Sequence, residues 1–212
     1  MCVIHLFRGF GDMIDIFPIF PTPIGQVKFD RDLTSSEIDV VHKQKWNLNV
    51  GNKVAEDNRV LNTPALYEIK KFIERSVKDY FLFLYPGRED IEIYITQSWM
   101  NCTTTGEWHH PHAHPNSFIS GVFYIDCDDS DSINFVKREY NQITVVPKEY
   151  TLYNSSSWNV KTEKNMLLIF PSSLDHAVSQ ITKPNHTRVS LSFNTFVRGL
   201  LGEDNSLTEL RL

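Results

Sequence analysis

Five of the eight histidines have spacings that could serve a metal ion. One is His176, and the other four crowd into residues 108–115, at His109, His110, His112 and His114. Side chains alternate along an extended segment, so the last three of these would point to the same side. Pro111 and Pro115 favour extension, because each disfavours a helical conformation in the residue before it. Two neighbouring imidazoles on one strand could therefore bind a redox-active or Lewis-acid metal.

A third metal ligand would have to come from elsewhere in the chain, and His176 is the candidate. It follows an apolar strand pattern over residues 167–171. Further on, Arg188 and Ser190 begin a segment in which polar and apolar residues alternate as far as Asn194. A strand with arginine and serine on its inner face could hold a carboxylate through the planar guanidinium and a hydroxyl. This ordered set predicts a metal centre with an anion site beside it.

The other histidines have simpler interpretations. We interpret His5, His42 and His186 as solvated or hydrogen-bonded side chains, the usual state of an isolated histidine. His109 and His110 are interpreted as surface groups or as supports for the ligands. These residues therefore stay outside the predicted ligand set.

The elements that must position this site begin, in chain order, with two predicted helices. Thr34 and Glu37 form a capping-box pattern that opens a short helix, whose apolar side would comprise Ile38, Val41 and Trp46. Thr63 and Pro64 supply the N-cap and first-turn proline of a longer helix. Its apolar residues recur at helical spacing as far as the Pro86-Gly87 stop and are Leu66, Ile69, Ile73, Val77, Tyr80 and Leu84.

Strands are predicted from residue 91 onward, where the hydrophobic period changes to two. The predicted strands cover residues 91–101, 118–125, 133–136, 143–146, 166–170, 176–181 and 187–196. Helices followed by short strands indicate an α+β fold with a sandwich or barrel. We predict a single domain over residues 1–212, with a helical and β support region at 13–90, a strand-rich core at 91–198 and a polar tail at 199–212.

Composition and charge exclude several classes of protein. A content of 41% hydrophobic and 22% charged residues is typical of a folded globular chain and excludes a disordered one. The formal net charge of −5 argues against nucleic-acid or anionic-membrane binding, since both require a basic surface. Three irregularly spaced cysteines give no disulfide framework, which favours the cytoplasm. We expect no membrane span, and Met13 is an alternative start residue.

These residues resemble the superfamily of iron(II)- and 2-oxoglutarate-dependent oxygenases, whose pattern is H-x-D/E, a distant histidine and then an arginine. More narrowly, residues 112–124, 168–176 and 188–194 resemble a family of such oxygenases found in bacteria and bacteriophages. The similarity covers about residues 95–197, with weaker support at residues 17–23. It implies an α+β fold with a double-stranded β-helix core, the cupin-like jelly roll, flanked by N-terminal helices. Residues 91–198 would then be the catalytic core.

The resemblance also implies the ligands of the iron. His112 and His176 would be the two histidine ligands of Fe(II). His114 stands where the superfamily has Asp or Glu, so the site would hold three histidines, or two histidines and an unidentified carboxylate. Other acidic residues near the cluster lack ligand spacing, namely Glu107, Asp126 and Asp128. Asp175 should point away from its neighbour His176 if both lie on a strand.

The second implied partner is the co-substrate 2-oxoglutarate. Arg188 and Ser190 would bind its distal carboxylate. Tyr124 and Asn101 are candidates for further hydrogen bonds to it, and a core tyrosine and a strand-end asparagine are equally good interpretations of these two residues.

The implied reaction converts 2-oxoglutarate and dioxygen to succinate and CO2 while it hydroxylates a C–H bond of a small-molecule, protein or peptide substrate. Two alternatives stay open. A cupin-like three-histidine enzyme that does not use 2-oxoglutarate would not need Arg188 and Ser190. A non-catalytic jelly-roll binding or virion module would not need three converging histidines. The primary substrate and the oligomeric state are left open by the sequence.

Overall fold

The structure is a computed structural model that describes residues 16–138 and 142–212. Its two α-helices are α1 (Ser35–His42) and α2 (Tyr67–Leu84), and single 3-10 turns lie at Val60–Asn62, Pro64–Leu66 and Asp204–Ser206. The strands within the described residues are β1 (Gly25–Lys28), β2 (Trp46–Leu48), β3 (Lys53–Ala55), β4 (Glu92–Thr104), β5 (His109–His112), β6 (Ile119–Asp126), β7 (Ser132–Val136), β8 (Ser157–Lys161), β9 (Met166–Pro171), β10 (Asp175–Val178), β11 (Thr187–Arg198), β12 (Leu200–Leu201) and β13 (Leu210–Arg211).

Two antiparallel sheets form the body of the molecule. The larger has the order β1-β9-β6-β11-β4-β3-β2, and the smaller has the order β5-β10-β7-β8. Strands that are distant in sequence lie side by side in both sheets, as in a double-stranded β-helix. The predicted α+β jelly roll with flanking helices is therefore confirmed. A separate hairpin of β12 and β13 lies in residues 199–212, where Gly199 and Leu212 exchange backbone hydrogen bonds of 3.1 Å.

Strand β6 shows why the larger sheet is buried on both faces. Val122 and Tyr124 point toward the smaller sheet and pack with residues of β7 and β9. Phe123, between them, points to the opposite face and packs against Phe29 and Phe72, with ring centroids 6.1 and 6.3 Å away. Because successive side chains alternate, a strand covered on both sides is apolar throughout. The helix layer and the smaller sheet thus bury opposite faces of the same strands.

The two predicted helices are confirmed, with corrected beginnings and ends. Thr34 caps α1, and the reciprocal capping-box bonds join Thr34 and Glu37. Trp46 lies in β2 and pairs with Ala55, so its prediction as a helical residue was wrong. Thr63 makes no side-chain cap bond. The first turn after Pro64 is a 3-10 turn, and α2 begins only at Tyr67.

Most predicted strands are confirmed, and one is wrong. Residues 143–146 form no strand, and Ile143, Val145 and Val146 are exposed. Alternating apolar residues do not suffice here because no neighbouring strand pairs with them. Strand β10 ends at Val178, short of the predicted residue 181. The N-terminal strands β1, β2 and β3, which periodicity did not predict, extend the larger sheet at both edges. No helix in the described ranges has the length and apolar character of a membrane span.

Candidate metal centre and co-substrate pocket

One pocket lies between the two sheets and is lined from both of them. Strands β5 and β10 of the smaller sheet, with the segment that follows β5, contribute His109, His112, His114 and His176. The larger sheet contributes a polar row from β4, β6 and β11, comprising Asn101, Thr103, Tyr124, Arg188, Ser190 and Ser192. Val122, Ile133 and Phe170 add apolar side chains to the lining. The pocket therefore combines a cluster of imidazoles with a buried polar strand face.

Three of the predicted histidines converge at one point. His176 on β10 lies opposite His112 on β5, and their ring centroids are 4.4 Å apart. His114 follows β5, and its backbone N–H donates to the Ser172 carbonyl at 2.9 Å. The Nε2 atoms of His114 and His176 are 3.3 Å apart. Ligand atoms of all three histidines lie within 4.8 Å of one another, so one ion could contact all of them.

Backbone carbonyls fix the orientation of two of these rings. His112 Nδ1 is 2.8 Å from the carbonyl oxygen of His110, and His176 Nδ1 is 3.0 Å from that of Leu174. A carbonyl oxygen can only accept, so each Nδ1 must carry the hydrogen and donate. The lone pair of each ring then lies on Nε2, and the Nε2 of His176 is the atom that approaches His114. Metal-binding histidines commonly have this arrangement, because the outer hydrogen bond fixes both tautomer and ring orientation.

The same three rings are neutral at physiological pH. Burial lowers the pKa of His114 to about 3, with repulsion from His176 and His112 as lesser causes. Burial likewise lowers the pKa of His176 to about 4, and it lowers the pKa of His112. Neutral imidazoles keep their lone pairs free for a metal. A separation of 3.3 Å also suits two nitrogens that share one ion at roughly 2.0–2.1 Å each. The cluster therefore fits a divalent transition metal.

No carboxylate lines the pocket within residues 16–138 and 142–212. The Glu107 carboxylate accepts from the backbone N–H of Thr104 at 2.8 Å, and Asp128 pairs with Lys183. Asp126 is exposed at the end of β6. Asp175 is buried but binds Arg138, in keeping with its expected direction away from His176. Among the described residues, His114 is thus the candidate third ligand, with a ligand atom within 4.8 Å of those of both His112 and His176.

Arg188 lines the pocket and is only 4% exposed. It faces Thr103 across the β4–β11 pair, and its Nη2 donates to Thr103 Oγ1 at 3.2 Å. Its Nη1 lies 3.5 Å from Oδ1 of buried Asp131. The other oxygen of Asp131 contacts His186 Nε2 at 2.7 Å. The Asp131 carboxylate is a buried counter-charge for the guanidinium, and Arg188 also lines the pocket.

Three predicted co-substrate residues lie in one row across the larger sheet. Ser190 on β11 pairs with Asn101 on β4 and with Tyr124 on β6. Asn101 Nδ2 donates to Ser192 Oγ at 3.0 Å, and its Oδ1 is buried without a partner among the described residues. Burial raises the pKa of Tyr124, so its phenol is protonated. The row offers hydroxyl and amide groups beside Arg188, which suits a small polyoxygenated anion.

The pocket also contains His109 and Asn52, which were not among the predicted site residues. His109 lines it because β5 carries an irregularity: His176 pairs with His112, but Val178 pairs with His109. The extra residue turns His109 toward the side of His112, so of its two interpretations, surface group or support for the ligands, the structure does not bear out the first. Asn52, in the β2–β3 turn, is also buried and lines the pocket, with an Nδ2 that has no partner among the described residues. No local sequence signal marks Asn52, since only tertiary packing brings that turn against Trp108.

A family model described as "Putative 2OG-Fe(II) oxygenase" matches residues 97–194. The matched range contains the three converging histidines and Arg188. The family's description names Fe(II) and 2-oxoglutarate, and the histidine cluster could hold the iron. Curated proteins yield no matching sequence.

Solved structures share the fold at low sequence identity. An oxidoreductase of the 2OG-Fe(II) oxygenase family from Burkholderia pseudomallei is 14% identical, with a TM-score of 0.53 over 81% of this chain and 84% of that one. HygX from Streptomyces hygroscopicus, with nickel, 2-oxoglutarate and hygromycin B bound, is 9% identical, with a TM-score of 0.57 over 82% of each chain. A Trichoplax adhaerens prolyl hydroxylase bound to a peptide of hypoxia inducible factor is 14% identical, with a TM-score of 0.53 over 82% and 83%. Over residues 97–194 the chain is therefore similar to the family described as putative 2OG-Fe(II) oxygenases, and it shares the double-stranded β-helix fold of these solved structures.

Proposed function

We propose that this protein is an Fe(II)- and 2-oxoglutarate-dependent oxygenase that hydroxylates an aliphatic C–H bond of a small-molecule or peptide substrate, with His112, His114 and His176 as the iron ligands. The observation that carries the proposal is the convergence of three neutral imidazoles beside a buried arginine with hydroxyl neighbours. A metal held by neutral ligands keeps its full charge, which a dianionic co-substrate would balance. A cupin-like enzyme without 2-oxoglutarate would have no use for that arginine.

Each protein group has a separate task in this proposal. His112 and His176 present Nε2 to the metal because their Nδ1 atoms donate to backbone carbonyls. Arg188 and Ser190 bind the distal carboxylate of 2-oxoglutarate, and Asn101 and Tyr124 hold its remaining oxygens. When bound, Fe(II) and 2-oxoglutarate supply the oxidising chemistry, in which R–H, O2 and 2-oxoglutarate give R–OH, succinate and CO2.

The surroundings of the cluster support oxidation in a protected site. Val122, Ile133 and Phe170 are buried and line the pocket, so this side excludes water. Trp99 is half-buried, and its ring centroid lies 5.8 Å from that of His114. We propose that the substrate carbon approaches beside Trp99, and that the substrate is a metabolite or a peptide side chain. HygX and the prolyl hydroxylase, which share the fold, are bound to molecules of these two kinds. We propose that the protein acts in the cytoplasm.

The proposal is tested with purified protein, Fe(II) and 2-oxoglutarate, without added substrate. We expect a visible absorption band when both are added anaerobically, and slow succinate formation in air. His112→Ala should abolish both signals. Arg188→Ala should keep iron binding but require far more 2-oxoglutarate, and the exposed His42→Ala is the matched control. If neither the band nor succinate appears in the wild type, the proposal fails.

Hydroxylation is distinguished from other outcomes by the product. The fold is shared by an epimerase and a carbocyclase of nogalamycin biosynthesis as well as by a prolyl hydroxylase. A substrate found by succinate release should gain the mass of one oxygen atom, and label from 18O2 should enter the product. A product of unchanged mass, or one that has lost two hydrogens, would contradict hydroxylation and leave the oxygenase assignment intact.

A further inference from the structure

A second histidine triad shares His112 with the proposed iron ligands, and its other two members, His109 and His110, have no role in the proposed reaction. Ligand atoms of His109, His110 and His112 lie within 4.8 Å of one another, as do those of the first triad. Ring centroids in this second triad are 4.5 to 5.1 Å apart. We call His112, His114 and His176 the iron triad, and His109, His110 and His112 the outer triad. His112 belongs to both.

The local backbone explains why three residues so close in sequence converge. Regular alternation would place His109 and His112 on opposite faces of β5. The irregular pairing with β10 inserts an extra residue between them, so both rings reach the same side. His110 completes the group, and its Nδ1 is buried without a partner among the described residues. A buried ring nitrogen without a partner is costly unless a ligand satisfies it.

His112 can serve only one of the two triads at a time. Its Nδ1 donates to the His110 carbonyl at 2.8 Å, which leaves Nε2 as the sole atom with a free lone pair. One nitrogen lone pair forms one bond to one ion. A cation held by the outer triad therefore takes from the iron triad one of its three ligands.

We propose that the outer triad binds a divalent cation of the zinc type and that this binding competes with iron through His112. The proposal rests on the iron ligand set given above. Three imidazoles without a carboxylate suit Zn²⁺, which binds nitrogen sites more tightly than Fe²⁺ does. The oxygenase would then be active when iron is in excess and inhibited when zinc fills the outer triad.

A binding experiment tests the outer triad without reference to catalysis. Metal-free wild type, His42→Ala and the double variant His114→Ala/His176→Ala are titrated with Zn²⁺ by calorimetry. The double variant lacks two iron ligands but should still bind one ion. Adding His110→Ala to it should weaken binding at least roughly tenfold. The wild type should bind one ion, because the triads share a nitrogen. A folded double variant that binds no zinc, or a wild type that binds two ions at once, overturns the proposal.

An inhibition experiment separates this proposal from simple replacement of iron by zinc. Zinc that displaces iron from the iron triad would inhibit the wild type and His110→Ala equally. Zinc in the outer triad should inhibit His110→Ala only at concentrations at least roughly tenfold higher, with His42→Ala matching the wild type. Equal sensitivity of His110→Ala and wild type overturns the proposal. If the double variant does not fold, the comparison of zinc inhibition between His110→Ala and the wild type tests the proposal instead. If no 2-oxoglutarate turnover exists, the proposed function fails and the binding experiment still decides.

Discussion

His112 and His176 are direct cross-strand partners of the β5–β10 pair, with ring centroids 4.4 Å apart. Each ring donates its Nδ1–H to the carbonyl two residues before it, so the two histidine side chains are held in the same way. The pairing of two strands from distant parts of the chain therefore sets the distance between two metal ligands. A metal bound there would tie β5 to β10.

The third position of the iron triad is predicted to accept a carboxylate. His114 stands where the superfamily has Asp or Glu, and no carboxylate lines the described part of the pocket. We expect His114→Asp to retain iron binding, because an aspartate oxygen is a good ligand for iron. His114→Ala should weaken iron binding at least about tenfold. Titration with iron under anaerobic conditions measures both, and equal affinity of His114→Ala and wild type would remove His114 from the ligand set.

Arg188 is predicted to act through its planar fork as well as through its charge. Lysine retains the charge but cannot make the paired hydrogen bonds that a guanidinium makes to a carboxylate. We expect Arg188→Lys to raise the KM for 2-oxoglutarate at least about tenfold, with the affinity for iron unchanged. Succinate release at varied 2-oxoglutarate measures the KM. An unchanged KM in a folded Arg188→Lys variant would mean that the co-substrate binds elsewhere.

Asp131 is predicted to be a positioning residue for Arg188. Its carboxylate lies 3.5 Å from Arg188 Nη1 and 2.7 Å from His186 Nε2. Asp131→Asn has nearly the same shape but removes the charge, so the guanidinium loses its buried counter-ion. We expect the KM for 2-oxoglutarate to rise by about tenfold while kcat changes little. The exposed Asp129→Asn serves as control. A fall in kcat with constant KM would contradict a positioning role.

The ion pair that secures α1 predicts a pH dependence of stability. The Glu37 carboxylate accepts two hydrogen bonds from Arg31, at 2.7 and 2.8 Å, and this contact is the main cause of its lowered pKa. A carboxyl group whose pKa is lower in the folded state than in the unfolded state stabilises the fold at pH values above its unfolded pKa. This stabilisation is lost as the pH falls through the folded pKa. Glu37→Gln should thus lower the free energy of unfolding at about pH 7, and the difference should shrink below about pH 4.

Urea denaturation across this pH range measures the effect. The exposed Glu74→Gln, which removes a surface carboxylate on α2, is the control and should show no such pH dependence. A Glu37→Gln difference that stays constant from neutral to acid pH would mean that the carboxylate charge contributes nothing to stability.

Replacement of Gly121 is predicted to destabilise the protein because of its neighbours on both adjacent strands. A Cβ there would collide with the Phe193 ring and lie 2.7 Å from the Leu168 carbonyl oxygen. We expect Gly121→Ala to lower the free energy of unfolding by about 1–3 kcal/mol through overpacking. Gly87→Ala is the comparison without overpacking. A Cβ at Gly87 meets nothing within 4 Å, so any loss of stability there comes from the positive φ of that residue. A Gly121→Ala variant as stable as the wild type would show that β6 can shift.

The sequence by itself determined the local elements and the order of the candidate ligands. Thr34 and Glu37 satisfy backbone groups within three residues of each other, so the helix start was predictable. The alternation along β11 likewise separates Val189, Leu191 and Phe193 in the core from Arg188 and the serines in the pocket. Such features depend on the periodicity of a helix or a strand, which the chain carries in its own order of residues.

Only the tertiary structure decided which residues share the pocket. His109 turns inward because β5 pairs irregularly with β10. Asn52 lies in the turn between β2 and β3, at the edge of the larger sheet, and also lines the pocket. Asp131 reaches Arg188 from another strand connection. Residues 143–146 alternate like a strand but stay unpaired. Strand pairing and register depend on partners far along the chain, and a one-residue shift reverses every side chain, so local patterns could not determine these positions.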